Sequence, residues 1–263
     1  MIFEVEPTMR CNLNCDKCAH AANHKKVKND EMTRTDWEHN LSCFLSEDEL
    51  VISGGEPALY KDLEYLIDSW VEKLNKPVLR VTSNGYNWQR WLPLKDKISI
   101  FWFSHYPGIN DDEIRAVSES DLPIATMPDM PESNFWDIRV MPSNFFIPEE
   151  VTETLKQRCT LRENYALCKR WAWSCCVGSY FYRGIKGLPP YYGGVKVGSY
   201  NWRKQLEERT TCLELCRFCF MGPRCNLVQG EYIAKDYEYN MSYFQNDTIY
   251  ANSALDLSPH YKN

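Results

Sequence analysis

The stretch Cys11-Asn-Leu-Asn-Cys15-Asp-Lys-Cys18 places three cysteines within eight residues, directly after a segment, Ile2–Glu6, that alternates in polarity as a strand does. Three thiols are an odd number for disulfides and one short of the four ligands that close a structural zinc or an ordinary iron–sulfur site. Either a fourth ligand is borrowed, with His20 and His24 nearby in sequence, or one coordination position is left open for chemistry. A second signal, Ser53-Gly-Gly-Glu-Pro57, follows the next strand-like run. Glycines at a strand end let the backbone approach a ligand closely. Together the two segments point to an open metal site with a bound small molecule beside it.

Eight of the twelve cysteines lie beyond residue 150: Cys159, Cys168, Cys175, Cys176, Cys212, Cys216, Cys219 and Cys225. Cys216-Arg-Phe-Cys219 is a closely spaced pair, and Cys168 and Cys175 are expected to approach it across a turn, giving four thiolates on one centre. Thiolate spacing alone does not separate iron–sulfur from a zinc staple.

The elements that must position these groups alternate. Strand-like runs occur at Ile2–Glu6, Leu50–Ser53, Val78–Thr82 and Ile98–Ser104, with weaker ones at Pro123–Met127 and Trp136–Met141. Between them, Leu63, Leu66, Ile67, Trp70, Val71 and Leu74 fall on one face of a helix spanning Asp62–Leu74. Six strands with connections of helical length predict an α/β fold, a partial (β/α)6 barrel, and in such sheets ligands collect at the carboxyl ends of the strands. A helix opened by Pro-Glu-Glu is expected over Ile147–Arg158. The expected division is a core over 1–150, a small cysteine-rich α+β domain over 151–231 and a polar tail over 232–263.

Composition narrows the partners. A net charge of -6 with 25% charged residues argues against a nucleic-acid backbone or an anionic membrane as the main target. No signal peptide or membrane-spanning run is present, so a soluble cytoplasmic protein with reduced, metal-ligating cysteines is expected.

Cys-x3-Cys-x2-Cys after a first strand, with Gly-Gly-Glu-Pro after the second, resembles the radical S-adenosylmethionine enzymes. The resemblance covers residues 1–142. It implies a [4Fe–4S] cluster held by Cys11, Cys15 and Cys18, whose fourth iron is chelated by S-adenosylmethionine. Reductive cleavage then yields a 5′-deoxyadenosyl radical that abstracts a hydrogen atom. The resemblance places cofactor contacts at Gly54, Gly55, Glu56 and Pro57 and at Ser104, while Asn84 is a cofactor neighbour by position. Lys17 stands where many members carry an aromatic residue near the adenine.

The late cysteines resemble the twitch and SPASM extensions, which implies a second [4Fe–4S] cluster on Cys168, Cys175, Cys216 and Cys219, with Val177–Arg183 as the hairpin. A substrate radical needs completion by a thiol donor or by a base and an electron acceptor. Cys176, Cys212 and Cys225 are donor candidates and His105, at a strand end, is a base candidate, with Asp129 and Arg139 behind it.

The expected substrate is a small polar metabolite of sugar or aminocyclitol type, dehydrogenated or epimerised, because a first strand starting at Ile2 leaves no space for a leader-binding domain. A peptide-modifying enzyme is the alternative, and a metal-binding scaffold without catalysis is the rival of another class. Flavodoxin or ferredoxin is the electron donor implied.

Overall fold

Strands β1 (Ile2–Val5), β2 (Glu49–Ile52), β3 (Arg80–Ser83) and β4 (Phe101–Phe103) lie side by side in chain order, each parallel to the next. The computed structural model describes residues 1–13, 18, 20, 22, 30–106, 108–125, 164–175, 178, 179, 183 and 190–208. Helices α1 (Arg34–Cys43), α2 (Leu63–Leu74) and α3 (Asp111–Ser118) follow β1, β2 and β4, and the 3-10 segment Trp88–Lys97 follows β3. This is the alternation expected of a parallel α/β sheet.

Helix α2 forms where the apolar spacing places it and ends at Asn75, whose positive φ of 51° closes the last turn. Apolar spacing does not mark α1. Its signal is local: Thr33 and Asp36 form a reciprocal capping box, each side chain accepting from the other's backbone N–H.

One face of the sheet is apolar. Phe3, Val5, Leu50, Ile52, Val81, Phe101 and Phe103 pack with Trp37, Leu66, Ile67, Trp70 and Trp91 in a single core. Alternation therefore turns Glu4, Glu6, Val51, Ser53, Arg80, Thr82 and Trp102 to the opposite, inner face.

Beyond the expected boundary near residue 150 the sheet continues. Strand β5 (Asn164–Cys168) pairs parallel with β1 on its free side, and β6 (Trp171–Trp173) and β7 (Val195–Lys196) add antiparallel strands, giving the order β4-β3-β2-β1-β5-β6-β7. Tyr165 and Leu167 of β5 and Trp202 of α4 (Trp202–Glu207) join the same apolar core, and the Arg203 guanidinium pairs with Asp48, just before β2.

The hairpin is β5–β6, upstream of the expected Val177–Arg183, where Gly178, Ser179 and Arg183 have helical backbone. A two-residue turn between strong β-formers accounts for the difference, since Asn164–Trp173 carries the aromatic alternation that strands favour. Of the weaker strand candidates, Ile124 makes an isolated parallel bridge with Phe101, while Trp136–Met141, the helix at Ile147–Arg158 and the tail lie outside the described residues. Among the described residues, no helix is long and apolar enough to cross a membrane.

Candidate metal and cofactor site

The chain leaves β1 as Glu6-Pro-Thr-Met-Arg10 and is stitched down on two sides before Cys11 begins. Met9 N–H donates to Asp30 O and Met32 N–H to Pro7 O, while Gly55 N–H donates to Thr8 O at 2.9 Å and Glu56 N–H to Arg10 O at 2.8 Å. The glycines are required for that approach. A Cβ on Gly55 would sit 2.3 Å from Arg10 O, and one on Gly54, which also has φ +114°, would sit 2.8 Å from Thr8 O. Their lack of a side chain thus lets the backbone after β2 pack against the lead-in to the cysteine loop.

Glu56 is fully buried and braces the neighbouring strand end. Its Oε1 accepts from Ala58 N at 3.0 Å and Ser83 Oγ at 2.9 Å, and its Oε2 accepts from Asn84 N at 2.8 Å. Burial pushes its pKa up to about 7, against the pull of those three donors. Pro57 then opens a 3-10 turn, Pro57–Leu59, whose exit is held by Arg90 through Ala58 O, Tyr60 O and the Glu64 carboxylate.

Asn84, held by Glu56, reaches the cysteine loop. Its Nδ2 lies 2.9 Å from Asn12 Oδ1 and 3.7 Å from Cys11 Sγ. The N–H of Ala22 lies 3.4 Å from Cys18 Sγ. The structure therefore brings together Cys11, Gly54–Pro57 and Asn84 at the carboxyl ends of β1 to β3. Thiols with N–H donors aimed at their sulfurs suit an iron–sulfur centre, because such donors stabilise the thiolate charge. Cys15 and Lys17 lie outside the described residues.

Ser104 continues this rim through its backbone: its N–H donates to Ser83 O, and its carbonyl accepts from Asn110 Nδ2 at 2.8 Å. Asn110 also donates to Asn84 O at 2.7 Å, bridging the ends of β3 and β4. Its place just before α3 is the kind of position that sequence reading assigns to a cap, which hides this bridging role. His105 turns onto Asp111, with Nε2 2.7 Å from Oδ1, and holds that carboxyl below its ordinary pKa.

A buried ion network sits beside the loop. Glu6 accepts from Arg183 Nη2 at 2.8 Å and meets His20 Nδ1 at 2.8 Å, and Arg183 also reaches His20 O. Burial alone would raise the Glu6 pKa, but Arg183 and His20 pull it well below its ordinary value. His20, a borrowed-ligand candidate for zinc, is thus oriented by a carboxylate; neither Glu6 nor Arg183 stood out in the sequence, because their partnership spans 177 residues.

Among the late cysteines, Cys168 pairs with Trp171 at the tip of the β5–β6 hairpin, and Cys175 O receives Ala166 N–H. Cys168 lies at the same end of the sheet as Glu6, on the inner face. Cys176, Cys216 and Cys219, together with Cys212, Cys225, Asp129, Arg139 and His24, lie outside the described residues.

No protein-family model and no curated protein matches the sequence. Among solved structures, the chain is similar to BtrN in complex with AdoMet and 2-DOIA, at 16% identity and a TM-score of 0.55, with 83% of this chain and 92% of BtrN covered. A BtrN structure in an open conformation gives 14% and 0.48, covering 82% and 85%. Streptococcus suis SuiB bound to S-adenosylmethionine gives 13% and 0.37, covering 78% and 64%. BtrN is a radical S-adenosylmethionine enzyme, and this chain shares its fold.

Proposed function

We propose that this chain is a radical S-adenosylmethionine enzyme that removes a hydrogen atom from a small polar metabolite of sugar or aminocyclitol type. One observation carries the reading: Cys11 emerges at the carboxyl end of the central strand, bonded through Thr8 and Arg10 to the Gly-Gly-Glu backbone and through Asn84 to the next strand. The shared fold supports it, and the BtrN structure of that fold is a complex with AdoMet and the small molecule 2-DOIA.

Cys11, Cys15 and Cys18 would hold the cluster, with Gly54–Pro57, Asn84 and the Ser104 backbone facing the cofactor. When bound, cluster and cofactor supply one-electron cleavage of the sulfonium and hydrogen-atom abstraction. The chain's own part is to hold the loop. Glu56 fixes Asn84, Asn84 fixes Asn12, and the two glycines fix the approach to Cys11.

Anaerobically reconstituted protein given S-adenosylmethionine and dithionite should release 5′-deoxyadenosine, and a Cys11/Cys15/Cys18→Ala variant should not. Equal yields from both, or tight cofactor binding with no cleavage under any candidate substrate, would favour the scaffold reading. A second cluster on the late cysteines is tested in the same triple variant, which should retain about four iron and four sulfide per chain. Zinc, or no metal, in that variant removes the second cluster.

A further inference from the structure

The two ends of the cysteine triplet are held by different parts of the chain. Cys11 is held from the β2 and β3 side, through the Arg10 carbonyl and the Asn84 amide. The turn that carries Cys18 is held from the other side. His20, two residues on, meets Glu6 Oε1 through Nδ1 at 2.8 Å, and the N–H of Ala22 lies 3.4 Å from Cys18 Sγ. The second oxygen of Glu6 accepts from Arg183 Nη2 at 2.8 Å, while Arg183 Nη1 donates to His20 O and to Ser179 Oγ, both at 3.3 Å.

Glu6, Ser179 and Arg183 are each no more than 1% exposed. The Glu6 N–H donates to Leu167 O, so its carboxylate is anchored where β1 and β5 end. A planar guanidinium grips a carboxylate and a carbonyl at once, which the point charge of a lysine on its flexible stem does less well. An apolar pair of similar volume often stabilises a buried position as well as an ion pair does, so what this network adds is the orientation it imposes. It orients His20 by ring and by carbonyl, two residues from a thiol of the triplet.

Three thiolates hold one compact cluster only when all three converge, and the groups behind metal ligands set how firmly the metal is held. We propose that Arg183 is a positioning residue for the metal site. Through Glu6 and the His20 carbonyl it fixes the turn bearing Cys18, so that a side chain 163 residues beyond His20 completes the cysteine loop. The proposal rests on the reading above and goes beyond it by making the first metal site depend on the C-terminal half of the chain.

Four proteins are reconstituted anaerobically with iron and sulfide and given no cofactor: wild type, Arg183→Lys, Arg183→Met/Glu6→Leu and, as a control in the outer core, Leu66→Ala. Iron release to a chelator is timed after subtracting that of the Cys11/Cys15/Cys18→Ala variant, and a urea midpoint is taken for each protein. Arg183→Met/Glu6→Leu should release iron about 10-fold faster than wild type, with Arg183→Lys between them. Leu66→Ala, although destabilised by its cavity, should stay within about 2-fold of wild type, because it shares no partner with the loop. The electron paramagnetic resonance signal of the reduced first cluster should change in both Arg183 variants and not in Leu66→Ala.

Wild-type iron release and signal in Arg183→Met/Glu6→Leu would overturn the proposal, as would release rates that simply follow the urea midpoints, with Leu66→Ala the fastest. If the Arg183 variants do not fold, His20→Ala decides, since it leaves the Arg183–Glu6 pair in place: accelerated release supports the positioning role and wild-type release overturns it. Failure of the radical reading shows separately, as absence of 5′-deoxyadenosine from the wild-type protein, because iron release is followed without cofactor.

Discussion

The two faces of the one sheet differ in what their residues do for the molecule. On the outer face, Phe3, Val5, Leu50, Ile52 and Val81 meet the helices, and their neighbours Trp37, Trp70 and Trp91 are fully buried. On the inner face the same strands carry Glu4, Glu6, Ser53 and Arg80; Ser53 and the Arg80 charge act on the buried Glu4 carboxyl, and Arg183 and His20 hold that of Glu6. Alternation along a strand makes this division possible, because side chains one residue apart never share a face. The difference teaches that the outer face stabilises the sheet by apolar burial, while the inner face holds two buried carboxylates through polar and charged neighbours.

The largest effect should come from breaking the outer face. Trp70→Ala is expected to lower stability by about 4 to 5 kcal/mol through lost burial and a residual cavity, read as a shift in the urea denaturation midpoint. A loss below about 1 kcal/mol would mean that the helices do not depend on this contact.

Arg183→Met breaks the buried ion pair with Glu6 on the inner face. With Glu6 left buried beside His20, the expected loss is about 4 kcal/mol, and adding Glu6→Gln should recover part of it. A double variant no more stable than the single one would show that the ion pair is not the source of the loss.

Glu56 gives a pH signature. Its carboxyl titrates at about 7 in the fold against an ordinary 4.5, so the folded chain holds a proton that the unfolded chain has released between those values. Stability should therefore fall as pH rises through that window, by up to about 3 kcal/mol, and Glu56→Gln should lack this slope. Parallel pH profiles for the two proteins would contradict the assignment.

The smallest effect sharpens the comparison. Ser53→Ala removes a buried hydroxyl that supports the buried Glu4 carboxyl, so stability should fall by about 1 kcal/mol. No loss, or a gain, would mean that the hydroxyl does not serve Glu4 in the folded chain.

Much of this was legible in local pattern. The apolar spacing of Leu63 to Leu74 specified α2, the polarity of Ile2 to Glu6 specified β1, and Gly54-Gly55-Glu56 marked the rim. Helix α1 carried a readable capping box at Thr33 and Asp36 that apolar periodicity does not register. Between Cys168 and Cys175 lies a hairpin that cysteine spacing does not register, because a β-turn is set by strand pairing.

What the sequence determined by itself is therefore whatever depends on neighbours along the chain: the strand and helix periods, the glycine turn after β2, and a cysteine triplet one ligand short of closure. Only the tertiary structure decided that β5 lies against β1, that Glu6 meets Arg183 across 177 residues, and that Glu56 reaches Ser83 and Asn84 at the end of the neighbouring strand. It also decided that Arg80 lies over the Trp102 ring. The physical reason is that burial and charge pairing depend on distance in space, and contacts between residues far apart in the chain exist only once the strands are in register.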